Sequence, residues 1–302
     1  RFYECALSLG SLTLNHPDDY LEKYRSEYFL IDQLYRLSIE NYYKISPSIS
    51  LYETVQKVKL ALDSHYAKLC NRINLEWMRC VKEAGGMTAV HALRQQNFYE
   101  SQIRPIQKKV VVVISDALRY EVAHELQGQI NEAKRFSAQL KSQLGVLPSY
   151  TQLGMAALLP HQQLDYAATN STVLVDGQSS AGLENRSTIL SKVGGIAISA
   201  KSLLSWTRAE ANEAVGDAKV IYVYHDVIDA QSESQKSELK TFIHARQAID
   251  ELNGLINRII NGFGVTRVVI TADHGFLFQQ ASVENGVKSP LKHEPSGTLE
   301  AS

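Results

Sequence analysis

The chain has 302 residues, 44% of them hydrophobic and 21% charged, with a formal net charge of -1; this is the profile of a soluble globular protein and excludes disordered and collagen-like classes. The longest apolar run, VVVVI at 110–114, is of strand length and far short of the roughly 18 residues that a membrane span needs. The charge balance supplies no global field for nucleic acid, although a local basic groove stays compatible with it.

Three scattered cysteines, Cys5, Cys70 and Cys80, form no CxxC and fit a reducing, cytoplasmic interior better than a disulfide framework. The opening RFYECALSLG and the closing KHEPSGTLEAS read as the ends of a piece of a longer protein.

From about Pro17 to Phe98 the chain is rich in Leu, Tyr, Glu and Lys at helical spacing. In YLEKYRSEYFLIDQLYRLSIENYY, residues Tyr20, Leu21, Tyr24, Tyr28, Ile31, Leu34, Tyr35 and Ile39 recur at threes and fours, which predicts an amphipathic helix whose aromatic stripe packs on a core. After the breaker ISPSIS a second helix is expected over LYETVQKVKLALDSHYAKLC and a third around INLEWMRCVKEAG, closed by Gly85-Gly86.

Pro105 marks a change of texture, and a helical N-terminal lobe over 1–104 is expected to precede an α/β domain over 105–302. Strand-like KKVVVVIS, QLGVLP, GGIAIS, AKVIYVYH and TRVVIT alternate with helical ALRYEVAHELQGQI, TQLGMAALL, SLLSWTRAEANEAV and a stretch from about Gln235 to Ile260. Continuous apolar strands alternating with helices predict a doubly wound α/β fold with a mostly parallel sheet. The polar segment 165–192 reads as an insertion near the sheet rim.

Polar residues collect where these runs end. VVVVI ends in Ser115-Asp116; GVLP leads into Ser149-Tyr150-Thr151; VIYVY ends in His225-Asp226, with Asp229 and Glu233 close behind; RVVI leads to Asp273-His274. The carboxyl ends of parallel strands share one edge, so these groups can converge on one crevice. Carboxylates with an imidazole suit Zn²⁺ or Mn²⁺, with Mg²⁺ at an oxygen-rich part. The Thr151 hydroxyl reads either as a helix N-cap or, beside a metal, as a nucleophile. Arg119 and Glu121 read as phosphate-holding or Asp116-orienting residues or as a surface ion pair, and His225 and Asp226 as groups behind the ligands or as structural ones. His124 and His244 fall within helical runs and carry no expectation beyond packing.

Asp116, Thr151 in PSYTQLGMAALLP, Asp229 and ADHG at 272–275 resemble, in that order, the alkaline phosphatase superfamily. VVVVISDALRYE, YVYHDVIDA and VVITADHGF are similar to one branch of it, the PglZ family, the phosphatase-like component of BREX phage-defence systems. The resemblance runs from Pro105 to about Phe278. It implies an alkaline-phosphatase-like domain, cut short at its C-terminal side, with Asp116, Thr151, Asp273 and His274 around one divalent ion and Asp229 at a second. Ser232 and Glu233 stand where the superfamily often has Gly and His, so that Glu233 is left to donate an oxygen. His293 in SPLKHEP is the only downstream candidate for the late histidine.

The implied function is that of a metal-dependent phosphatase or phosphodiesterase with Thr151 as nucleophile, working with other BREX components on a phosphoester. Two alternatives stand beside it. One is a metal-binding scaffold that assembles defence partners. The other is a metal-dependent nuclease, for which nucleic acid would be the partner and which no concentrated basic stripe supports.

Overall fold

The computed structural model describes residues 1–167, 172–228 and 241–275. It forms two compact units, one of residues Arg1–Ala92 and Tyr120–Ser142, the other of Leu93–Arg119 and Gln143–Ser302. No single cut of the chain separates them, because the segment after Arg119 belongs to the helical unit.

The chain starts with α1 (Phe2–Ser8), α2 (Pro17–Lys23), a π-helical turn (Tyr24–Tyr28), α3 (Phe29–Tyr42) and α4 (Tyr52–Glu83). Proline at the first position and the reciprocal bonds of His16 and Asp19 fix the start of α2, satisfying donors that a helix end otherwise leaves open. The two helices expected after ISPSIS are one: α4 runs for 32 residues. Nothing between Tyr52 and Glu83 is Gly or Pro, so no residue forces a break. Gly85 and Gly86, at φ +94° and +107°, end it in a conformation that L side chains disfavour.

The second unit opens with β1 (Leu93–Arg94), a 3₁₀ turn (Gln95–Asn97), a π turn (Tyr99–Ile103) and β2 (Val110–Ser115). The chain then supplies α5 (Tyr120–Glu132) to the helical unit, where α5 packs on α3. It continues with β3 (Gln143–Leu144), α6 (Thr151–Ala157), β4 (Leu164–Tyr166), β5 (Val173–Val175), β6 (Gln178–Ser179), α7 (Gly182–Ser191), β7 (Gly195–Ser199), α8 (Ala200–Ser205), α9 (Arg208–Val215), β8 (Val220–His225), α10 (Thr241–Phe263) and β9 (Val268–Thr271). No helix among the described residues is long and apolar enough to cross a membrane.

The main sheet has the order β7-β8-β2-β9, and all its pairings are parallel. Side chains alternate along β2. Val110, Val112 and Ile114 share a core with Leu153 and Met155 of α6 and with Ile189 and Leu190 of α7. The opposite face ends in Ser115 and His225, where Glu251 of α10 lies 3.5 Å from the His225 ring. Helices thus cover both faces of a parallel sheet, the α/β fold that the alternating runs predict.

Three expectations need correction. QLGVLP adds no strand to the main sheet; only Gln143–Leu144 is extended, pairing with β1 in a separate two-stranded sheet, and Pro148 has no N–H to extend a ladder. The segment 165–192 is no rim insertion, since its described part forms an antiparallel three-stranded sheet and α7, and buries Val173, Val175, Ile189 and Leu190 in the core. The helical run SLLSWTRAEANEAV is two helices, because Trp206 is extended (φ -71°, ψ 150°) and Thr207 caps α9 through a bond to the Glu210 N–H.

Candidate metal centre

Register decides what meets at the carboxyl edge. Ile114 of β2 pairs with Thr271 of β9, so two residues further on Asp116 and Asp273 emerge side by side. Asp116, Asp273 and His274 each offer a ligand atom, and these atoms lie within 4.8 Å of one another. His274 Nε2 is 3.3 Å from Asp273 Oδ2 and 3.5 Å from Asp116 Oδ1. Thr151 Oγ1 lies 2.9 Å from the same nitrogen. Thr151 is not the N-cap of α6: Tyr150 is, extended at φ -153° and ψ 159°, and Thr151 is the first helical residue. Its hydroxyl is therefore spent on the cluster and not on the helix end.

The imidazole has a defined sense. His274 Nδ1 lies 2.7 Å from the Gly275 carbonyl oxygen, which can only accept, so Nδ1 carries a proton and Nε2 is the atom that faces Thr151 and the two carboxylates.

Asp273 is 1% exposed. Its Oδ1 accepts the Ala117 N–H at 3.1 Å, and its Oδ2 is buried and, among the described residues, meets no hydrogen-bond donor at bonding geometry. Burial pushes the Asp273 carboxyl above its ordinary range, against the opposing pull of His274 and of the Ala117 N–H. Ala117 makes that bond from φ +56°, a left-handed conformation that costs an L residue about 1–2 kcal/mol. Two buried carboxylates, an imidazole lone pair and a hydroxyl within an ion's reach form a donor set that fits a divalent cation.

The remaining candidates lie elsewhere. The Asp116 N–H donates to the His225 carbonyl at 2.9 Å, but the His225 ring points away, 3.0 Å from Ser115 Oγ and 3.5 Å from Glu251. Asp226 is exposed on the turn after β8 and outside the cluster. Arg119 runs past Gly275, where an added Cβ would lie 3.6 Å from its Cγ. Glu121 forms no surface pair; it is 0% exposed and bound to Arg36 of α3, which packs on α5 within the helical unit. His124 packs on the Phe29 ring at 4.2 Å, and His244 is buried in α10. Asp229, Glu233 and His293 lie outside the described residues.

Two residues that no sequence pattern singled out support the centre. Gln95, 2% exposed, donates from Nε2 to the Ala272 carbonyl at 3.0 Å and to that of Asp273. Gly154 of α6 lets the helix approach so closely that an added Cβ would lie 2.3 Å from the Asp273 carbonyl oxygen.

Comparisons with known proteins identify the family. The model of the BREX system PglZ alkaline phosphatase-like domain matches residues 98–302. Alkaline phosphatase-like protein BrxZ of Escherichia coli O9:H4 (strain HS) is 41% identical over 290 residues, covering 91% of this chain and 33% of that protein. Alkaline phosphatase-like protein PglZ of Bacillus cereus (strain H3081.97) is 32% identical over 283 residues, again covering 91% of this chain and 33% of the relative. The chain spans about a third of the length of these curated relatives. With the parallel sheet and the carboxylate–imidazole edge, the match over residues 98–302 makes this chain a member of the PglZ family of BREX alkaline phosphatase-like domains.

Proposed function

We propose that the chain is the metal-dependent phosphohydrolase core of a BREX protein, a phosphatase or phosphodiesterase in which Thr151 is the nucleophile. The observation that carries this reading is the convergence of Thr151 Oγ1 on His274 Nε2 beside two buried carboxylates. A store for a metal needs no hydroxyl at that place. Asp116, Asp273 and His274, with Thr151, would hold one divalent ion, Zn²⁺ or else Mn²⁺ or Mg²⁺; three protein ligands are what catalytic zinc keeps. When bound, such an ion supplies Lewis acidity, which neutralises phosphoryl charge and makes the neighbouring hydroxyl easier to ionise.

The residues of the chain do the rest. Nδ1–H of His274, fixed by the Gly275 carbonyl, keeps Nε2 turned to the cluster in which the Thr151 hydroxyl lies. The Ala117 N–H holds Asp273 in place. Thr151, at the first position of α6, presents its oxygen to a phosphorus atom for in-line attack. Asp229 and Glu233 are proposed as the oxygen donors of a second, weaker site. Partnership with other BREX components and a location in the cytoplasm belong to the same proposal.

Titration of chelator-stripped protein with Zn²⁺ or Mn²⁺ by calorimetry should give a stoichiometry near one. Hydrolysis of nitrophenyl phosphates by this chain should be slow and should fall by roughly three orders of magnitude or more in Thr151→Ala, with metal binding and folding kept. Metal-dependent turnover that survives Thr151→Ala would sink the nucleophile, and two tight sites would refute the single-site count.

A further inference from the structure

We propose that Gln95 is the positioning residue that sets the spacing between Thr151 and His274, an inference that rests on the reading of the edge as a metal centre. Both ends of the amide are used. Its Oε1 accepts the Val146 N–H at 2.9 Å, and its Nε2 donates to the Ala272 carbonyl at 3.0 Å and to the Asp273 carbonyl. Val146 lies five residues before Thr151 on the segment that leads into α6, and Ala272-Asp273 directly precede His274.

One planar side chain therefore ties the segment bearing the hydroxyl to the segment bearing the imidazole. A planar amide has few ways to keep three such bonds, so the 2.9 Å separation of Thr151 Oγ1 from His274 Nε2 inherits its rigidity. Gly154 completes the clamp by admitting the Asp273 carbonyl against α6. Gln95 precedes residue 98, where the match to the family model begins, so the spacing of the centre depends on a residue outside that match.

The test compares Gln95→Leu and Gln95→Glu with Gln143→Leu in this chain. Leucine fills the volume but leaves one N–H and two carbonyls without their partner; glutamate keeps the shape and the acceptor but, when ionised, no donor. Gln143→Leu is the control, since it removes a 2.9 Å bond to Thr271 Oγ1 on β9 and touches neither carbonyl. Two quantities are read: Zn²⁺ affinity by calorimetry, and the nitrogen NMR shifts of the His274 ring in the metal-free chain.

Both Gln95 variants should lose affinity by about ten- to a hundredfold, as for groups that orient metal ligands, and should lose the Nδ1-protonated signature of His274; Gln143→Leu should keep both. Equal loss of affinity in Gln143→Leu, or a lower melting temperature in the Gln95 variants with unchanged affinity and unchanged His274 shifts, would overturn the assignment. If the unmodified chain binds no Zn²⁺, the metal-centre reading fails and the NMR readout decides for Gln95: the signature lost only in the Gln95 variants supports it, and the signature retained in them overturns it. Should Gln95→Leu fail to fold, Gln95→Glu carries both readouts.

Discussion

Each unit buries a cluster of charged groups, and the two clusters are built for different ends. In the helical unit Arg36 is 0% exposed. Its Nε donates to both oxygens of Glu121 at 3.0 and 3.2 Å, its Nη2 donates to Glu125, and Glu40 lies 3.9 Å away with Lys44 on its other side. A guanidinium is always charged and presents fixed donors, so Glu121 and Glu125 are answered within the unit. At the sheet edge two carboxylates face an imidazole, a group whose charge is not permanent. The first arrangement holds two helices together. The second gathers three ligand atoms within 4.8 Å of one another, a spacing that a divalent cation can bridge. Burial of charge by itself marks neither function nor structure; the permanence of the counter-charge tells them apart.

The strongest way to break this contrast is to remove the permanent charge. Arg36→Met should destabilise the helical unit by about 3–5 kcal/mol, because buried glutamates lose their partner. Restoring neutrality with Glu121→Leu and Glu125→Leu in the same chain should recover most of that loss in a urea melt. A single Arg36→Met chain as stable as the parent would show that the network is dispensable.

A smaller effect comes from two helical glycines that look alike in sequence. In Gly154→Ala, the gain in helix propensity of about 1 kcal/mol is outweighed by a Cβ placed 2.3 Å from a backbone oxygen. The net expectation is a loss of about 1–3 kcal/mol, together with weaker Zn²⁺ binding. In α5, an added Cβ at Gly128 would meet nothing within 4 Å, so Gly128→Ala should stabilise by about 0.5–1 kcal/mol. Thermal melts of the two variants should shift in opposite directions, and shifts of the same sign would contradict the close approach at Gly154.

These two glycines show what sequence carries and what it withholds. The runs that become β2, β7, β8 and β9 are legible because strands covered on both faces need continuous apolar residues, and the three candidate ligands are legible because each follows such a run. GVLP has the same texture over fewer residues, and short apolar runs do not declare their partner; its neighbourhood pairs only with β1. Glu121 stands five residues after Asp116, yet it belongs with α5 to the helical unit, where it is bound to Arg36. Gln95 was invisible for a stronger reason. Its partner Asp273 lies 178 residues away, and its role is to satisfy backbone groups, which every residue type carries alike and no motif records.

The finest test reads a slope instead of a shift. Burial lowers the value of His225 in the α/β unit and of His124 in the helical unit from the ordinary 6.5; at His225, Glu251 and Asp226 oppose the fall without reversing it. A base whose folded value is depressed binds its proton more readily in the unfolded chain. The stability it contributes is present above the ordinary value and is lost as pH falls through 6.5 towards the folded value. Asp273 works the other way: its folded value is raised from 3.8, so its contribution is present below 3.8 and is lost as pH rises through the folded value. The two histidines, against the pull of Asp273, should therefore make the melting temperature of the metal-free chain drop from pH 7 towards pH 5. His225→Gln and His124→Gln should each flatten that drop, and Asp273→Asn should raise the neutral-pH melting temperature while weakening Zn²⁺ binding. If His225→Gln leaves the slope unchanged while His124→Gln abolishes it, acid sensitivity belongs to the helical unit alone, and the His225–Glu251 contact carries no part of it.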